Sequence, residues 1–177
     1  MTTTLPVPVA FELPNDHWEA VQPESLGVHN AAFLAVRRGV SDVYAPTITV
    51  SGDWRDDDAT LEEIADESLL NLSAQGATEV ELVKRREVGT EHAPAILQSL
   101  GALAQAEGRT FDLRQAQVVM GLVDAEQPER RAVVIYTLTC TYAQFDEMGP
   151  EFQEFLASLE VAGVPLSPTP GPARGPA

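Results

Sequence analysis

Catalysis or metal binding in this chain would have to fall to His17, His29, His92, Cys140 and the aspartates near residue 55. Zinc sites draw on closely spaced Cys and His ligands, such as Cys-x-x-Cys or histidines four apart on a helix. No histidine here has such a neighbour, and Cys140 is the single cysteine. A reactive thiol also needs a base beside it and surroundings that lower its pKa. Cys140 lies in an alternating segment with Leu138 and Tyr142 on its own side, which reads as a core position. Asp53, Asp56, Asp57 and Asp58 could offer oxygens to Ca²⁺, but the glycine at the sixth position and the closing glutamate of an EF-hand loop are missing. They read instead as a solvated helix entry, where negative charge meets the positive end of the dipole. Ser25 and Ser99 sit in no Gly-x-Ser-x-Gly elbow, and no glycine-rich phosphate loop occurs. The expectation is a protein without catalytic residues, metal or cofactor.

What remains is recognition. Trp54 and Arg55 follow a strand that ends near Gly52, in an acidic loop, and exposed Trp and Arg side chains are common anchors of protein interfaces. A second group, Gln115, Gln117, Thr137, Thr139 and Thr141, falls on alternate positions of two neighbouring strands. Such a row of small polar groups is either the wet face of a sheet or a face that holds a partner. These seven residues are the candidate partner-binding set.

Composition narrows the partner. The chain has 177 residues, 44 % hydrophobic and 21 % charged, enough to bury one core without cross-links. Eleven basic against 27 acidic residues give a net charge of −16. Nucleic-acid binding needs basic groups to replace counterions on phosphate, so this chain repels nucleic acids and anionic membranes. One cysteine rules out an internal disulfide, so the fold does not need an oxidising compartment. No basic leader, lipidation cysteine near the start or apolar run of membrane-spanning length is present, and the expected location is the cytoplasm.

The elements that must position these residues can be read from periodicity. Val7 to Leu13, Phe33 to Arg37 and Thr47 to Ser51 alternate as strands; Trp18 to Gly27 reads as loop or a short helical turn. Leu61 to Ser73 is a helix opened by the capping pair Thr60 and Glu63, with Leu61, Ile64, Ala65, Leu69 and Leu72 on one stripe. Glu79 to Glu87 alternates as a strand, with Leu82 and Arg85 on opposite sides. Pro94 to Glu107 has helical spacing and good helix formers, weakened by Gly101. Phe111 to Val123 and Arg131 to Tyr142 are long strands joined by a polar turn, hence a hairpin. Pro150 is placed at a first helical position, before a stripe of Phe152, Phe155, Leu156 and Leu159. Residues 1–162 form one domain; residues 163–177, with five prolines and three glycines, read as a disordered tail.

In its order the chain resembles the PsbP-like superfamily. The resemblance rests on Phe11-Glu12-Leu13-Pro14 with Trp18, on Ala45-Pro46-Thr47-Ile48-Thr49-Val50 before the helix at Thr60, and on Leu138-Thr139-Cys140-Thr141-Tyr142 with Phe145 before the helix Glu151 to Leu159. It spans about residues 7–161; members include the DcrB-like proteins and the actinobacterial LpqN-like proteins, and the chain looks most similar to the LpqN-like group. It implies an α+β fold, an antiparallel β-sheet of six to seven strands flanked by α-helices as an α/β/α sandwich. It also implies that Pro94 to Val123 is a long hairpin turning at Glu107-Gly108-Arg109, against the local helical signal. LpqN-type proteins carry an export signal and a lipid-bearing cysteine, neither of which is expected in this chain. Relatives of this kind act mostly by binding, so the function expected is a non-enzymatic binding or accessory protein, a chaperone or adaptor for a secreted or membrane-associated client. A hidden small-molecule pocket or active site under the helix at Leu61, and a structural subunit role, are the alternatives. A protein partner is expected, and a homodimer is compatible with the reading.

Overall fold

The computed structural model describes residues 5–40, 44–91, 93–123, 126–127, 129–161 and 164–165. The elements are β1 (Val9–Ala10), β2 (Trp18–Val21), β3 (Phe33–Arg37), β4 (Thr47–Arg55), α1 (Leu61–Ala74), β5 (Thr78–Gly89), β6 (Pro94–Ala106), β7 (Arg109–Val123), β8 (Arg131–Thr141), α2 (Phe145–Ala157), β9 (Glu160–Val161) and β10 (Val164–Pro165). Seven strands form one antiparallel sheet in the order β2-β3-β4-β8-β7-β6-β5, and β1, β9 and β10 form a small second sheet. Alternation along β8 separates the two faces of the large sheet. Val134, Tyr136, Leu138 and Cys140 pack with Met148, Phe152 and Phe155 of α2; Val133 packs with Ile64 and Ala65 of α1. The result is the expected α/β/α sandwich, an α+β fold.

Pro94–Ala106 is a strand, as the resemblance implies and the local helical spacing does not. Ala106 and Arg109 are paired across the two-residue turn Glu107-Gly108, whose φ angles are 51° and 76°. Two successive positive φ values are the type I′ geometry whose twist suits tight hairpins. The turn launches twelve consecutive cross-strand pairs, from Ala106 and Arg109 to Ala95 and Met120. That ladder outweighs helix propensity in β6, and Gly101 has a use in it. A Cβ at Gly101 would meet the Arg114 guanidinium at 2.5 Å.

Other expectations are corrected. Of the predicted strand Val7 to Leu13, only Val9–Ala10 is paired; Pro6 and Pro8 withhold N–H donors from a longer ladder. The segment is held by side chains instead, with Phe11 against Phe33 and Phe155 at 4.6 and 5.0 Å. Trp18 opens a strand rather than lying in a loop, and is 4 % exposed. β4 runs on to Arg55, so Trp54 and Arg55 belong to a strand and not to an acidic loop. α2 begins at Phe145, which puts Pro150 in its interior and not at its first position. Pro150 and Asp146 are exposed, so water can satisfy the carbonyl that the missing N–H leaves free. Val164–Pro165, within the expected tail, pair with β9. His92, Ala162, Gly163 and residues 166–177 lie outside the described residues.

The capping box at α1 forms as expected: the Glu63 amide donates to Thr60 Oγ1 at 3.1 Å, and Glu63 Oε2 accepts from the Thr60 amide at 2.8 Å. In the α2 core, the hydroxyl of fully buried Tyr136 has no hydrogen-bond partner among the described residues. Burial pushes its pKa upward. A buried hydroxyl without a partner costs desolvation and returns nothing. Tyr136→Phe is therefore expected to raise stability by about 1 kcal/mol, read as a higher midpoint in urea at unchanged slope.

Candidate functional site

The α1 face of the sheet is only partly covered. α1 lies over β5, β6 and β7, and the face of β3, β4 and β8 beside it is left as a trough of about 740 Å³. Its floor carries Thr47, Thr49 and Ser51 of β4, Thr137 and Thr139 of β8, and Gln115 and Gln117 of β7. The C-terminal half of α1, through Ser68, Asn71 and Leu72, makes one wall, and Leu26, Val28 and Asn30 make the other. Thr47, Thr49, Gln115 and Thr139 stay partly exposed, so the trough is open to solvent along its length. A smaller hollow of about 330 Å³ adjoins it, shares Asn30, Ser51, Ser68, Asn71 and Ile135, and carries the charged groups Asp53, Arg55 and Glu67. Among the described residues that line the main trough, none is charged.

Register explains why the floor residues meet. Thr47 opposes Thr139 and Thr49 opposes Thr137 across β4 and β8; Gln115 opposes Thr139 and Gln117 opposes Thr137 across β7 and β8. Facing residues on one side of an antiparallel pair are close enough to bond. Gln115 Nε2 donates to Thr139 Oγ1 at 3.1 Å, and Gln117 Nε2 to Thr137 Oγ1 at 3.3 Å.

The Gln117 row continues beneath α1. Gln98 of β6, 1 % exposed, donates through Nε2 to Gln117 Oε1 at 2.9 Å and to the Ala65 carbonyl at 3.1 Å. Its Oε1 accepts from Arg85 Nε and Nη2 at 2.9 and 2.7 Å, and Arg85 is paired with Asp66 of α1 at 2.8 Å. Arg85 reaches this position because the β5 register is irregular. Leu82 pairs with Leu100 and Arg85 with Gln98, so Leu82 and Arg85 share a face although strict alternation separates them. The extra residue re-aims the side chain, as bulges do. The direction of the whole row follows from Arg85. A guanidinium can only donate, so it fixes the Gln98 oxygen toward itself and the Gln98 nitrogen toward Gln117. The Gln117 nitrogen is thereby turned toward Thr137.

The seven candidate residues thus divide. Gln115, Gln117, Thr137 and Thr139 are brought together on the trough floor. Thr141 lies beyond it and caps the turn Tyr142–Gln144, accepting from the Gln144 amide at 3.3 Å. The sequence Thr141-Tyr142-Ala143-Gln144 carries that capping-box pattern, a signal that sequence reasoning passed over. Trp54 and Arg55, neighbours in a strand, point to opposite faces. Trp54 is 37 % exposed and lies under the Arg130 guanidinium at 4.1 Å. Arg55 donates to Glu67 at 2.8 and 3.0 Å and also to Asp57, a clamp of β4 onto α1. Hydrogen bonds from Arg55 lower the Asp57 pKa. The floor residues Thr47, Thr49 and Ser51 were not among the candidates. Their alternation was legible, but which strand would sit beside β8 was not.

The chemistry-bearing residues that are described do not line the main trough. Burial pushes the Cys140 thiol up to about 12. His17 is exposed near Gly39, and His29 borders the smaller hollow. Among the described residues no three of His, Cys, Asp and Glu converge as a metal site. Among the described residues no helix is long and apolar enough to cross a membrane.

No protein-family model matches the sequence, and no curated protein matches it. Solved structures do. LpqN of Mycobacterium tuberculosis, involved in cell envelope biogenesis, superposes with a TM-score of 0.59 at 13 % identity, over 88 % of this chain and 85 % of that one. Cyanobacterial PsbP from Synechocystis gives 0.52 at 13 % identity, over 82 % of each chain. A protein of unknown function from Pseudomonas aeruginosa gives 0.51 at 20 % identity, over 78 % of this chain and 92 % of its own. Identities this low speak for the backbone alone, and the chain has the PsbP-like fold.

Proposed function

We propose that the chain is a non-enzymatic accessory protein that holds an extended segment of a protein partner in the trough beside α1. One observation carries this reading: a trough of about 740 Å³ without a charged residue among its described lining, in a chain of net charge −16. At 21 % charged composition, about five charged residues would be expected among two dozen. Depletion of charge is one compositional mark of an interface centre. The floor strands are already paired on both sides, so an occupant would be held by side chains and not by joining the sheet. An adaptor or chaperone for a secreted or membrane-associated client, working in the cytoplasm, is the concrete form of this role, and similarity to an envelope-biogenesis protein and to PsbP supports an accessory part.

The volume also lies within the range of small-ligand pockets, which favours a second reading as a small-molecule binder. A photocrosslinking amino acid placed at Leu72, on the trough wall, distinguishes them in the native host. A polypeptide adduct is expected at Leu72, absent from a control at exposed Val123 and abolished when Thr137→Arg fills the floor. Adducts that persist in the Thr137→Arg protein would sink the reading. A co-purified small molecule seen by native mass spectrometry, with no polypeptide adduct, would replace it with the second.

A further inference from the structure

β5 is the outer strand of the large sheet, and among the described residues no strand pairs with its free edge. Such an edge is a template for another strand, which charged side chains and bulges commonly blunt. The irregular register of β5 has a further effect. Glu81 pairs with Gly101 and Lys84 with Ser99, and Ser99 and Gly101 lie two apart in β6. Glu81 and Lys84 therefore share a face, although a spacing of three in a regular strand would part them. Residues that oppose each other across an antiparallel pair must share a face, and a two-fold axis repeats each contact twice. Two copies of β5 laid antiparallel, with that axis between Leu82 and Val83, oppose Glu81 to Lys84 in this way. Glu79 falls opposite Arg86 in the same register. Moving the axis to Val83 would set Glu79 against Glu87, and moving it to Leu82 would set Glu81 against Val83.

Charge and exposure agree. With three acidic and three basic residues, β5 is neutral in a chain of net charge −16, so two copies meet there without the repulsion of the acidic surface. Arg37, Arg55, Arg85, Arg114 and Arg131 each have an acidic partner within the chain. Glu79, Glu81, Lys84 and Arg86 are exposed and have no ion pair among the described residues. Leu82 and Val83, at the axis, are 41 % and 52 % exposed. α1 adds Leu70, 68 % exposed, one helical turn beyond the Asp66 that pairs with Arg85 and so on the β5 side. An apolar centre with a polar rim is the anatomy of an interface. We propose that the chain forms a two-fold dimer through the free edge of β5, with Leu70, Leu82 and Val83 at its centre and Glu81 of each copy opposite Lys84 of the other.

Sedimentation velocity on the full-length protein tests it. A short edge contact belongs with the small, weak interfaces, so the dimer should build up between about 1 and 100 µM. Lys84→Glu and Glu81→Lys each set like charges opposite each other twice, and each should raise the dissociation constant at least about tenfold. Both side chains are exposed, so neither change is expected to disturb the fold. Mixing the two variants, one of them carrying a fluorescent label, should restore association. The two glutamates of one copy then oppose the two lysines of the other, a rescue that a misfolded variant could not give. A parent protein still monomeric at about 100 µM, a dimer that neither single substitution weakens, or variants that stay apart on mixing would each overturn the proposal.

Discussion

Glu151→Gln should cost about 2–4 kcal/mol of stability at pH 7, the largest effect expected from a single isosteric change on the α2 side. Glu151 Oε1 accepts from Asn15 Nδ2 at 2.6 Å, Trp18 Nε1 at 2.9 Å and Arg37 Nε at 3.2 Å; Oε2 faces Arg37 Nη2 at 3.4 Å. One carboxylate thereby ties α2 to β2, β3 and the turn before β2. An amide cannot take all of these donors, and it leaves the Arg37 guanidinium, largely buried, without its counter-charge. Burial acts to raise the Glu151 pKa, but hydrogen bonds from Arg37, Trp18 and Asn15 outweigh it, so the carboxyl is held below its ordinary value. A depressed folded-state pKa stabilises the protein above the unfolded value of 4.5, and that share is lost as pH falls through the lower folded value. The deficit of Glu151→Gln relative to the parent should therefore be complete at pH 7 and shrink below pH 4.5. Urea unfolding at several pH values measures it. A constant deficit down to pH 3 would mean that the carboxylate charge contributes nothing, and Arg37→Met in the Glu151→Gln background should recover part of the loss.

This junction shows what the sequence could and could not say. Glu151 was visible only as a helix residue and Trp18 only as a loop aromatic, because the pairing joins residues 133 positions apart. Elements defined by local pattern were legible: the α1 stripe with its Thr60 and Glu63 cap, the β7–β8 hairpin, and the Phe152 and Phe155 face of α2. β6 was not legible from its own residues. Leu97, Leu100 and Leu103 fit a helix, and the decision lay outside the segment, in the Glu107-Gly108 turn and the partner strand it brings alongside. The likeness to a known arrangement supplied that non-local information.

The trough was half legible for the same reason. Alternation alone puts Gln115 with Gln117 and Thr137 with Thr139 on their faces, and a short turn puts the two strands side by side. Thr141 falls in the same alternation but lies where the strand ends and caps the next turn. Arg55 reads as a free cation beside an exposed tryptophan, yet strand pairing continues through both and sends them to opposite faces. Arg85 is hardest of all. Periodicity puts it on the face away from Leu82, and only the irregular register near Val83 brings it under α1. A break in alternation cannot be seen in a sequence whose alternation is the evidence.

That irregularity supports the second large effect. Gln98→Leu, close in volume, should destabilise the protein by about 2–4 kcal/mol. It strips the acceptor from the Arg85 Nε and the donor from Gln117 Oε1 together, and removes the bond that Gln98 adds to the Ala65 carbonyl. Arg85→Met should cost less, because Gln98 keeps two of its bonds and the exposed Asp66 returns to water. The two changes share one row of bonds, so their costs should not add. The double variant Arg85→Met with Gln98→Leu removes the buried cation with its acceptor, and should be more stable than the sum of the singles by about 1–2 kcal/mol. Equilibrium urea unfolding of the four proteins gives the coupling directly. Simple additivity would mean that Arg85 does not set the orientation of Gln98. The floor row would then lack its anchor, and the link from β5 to the Thr137 hydroxyl would fail with it.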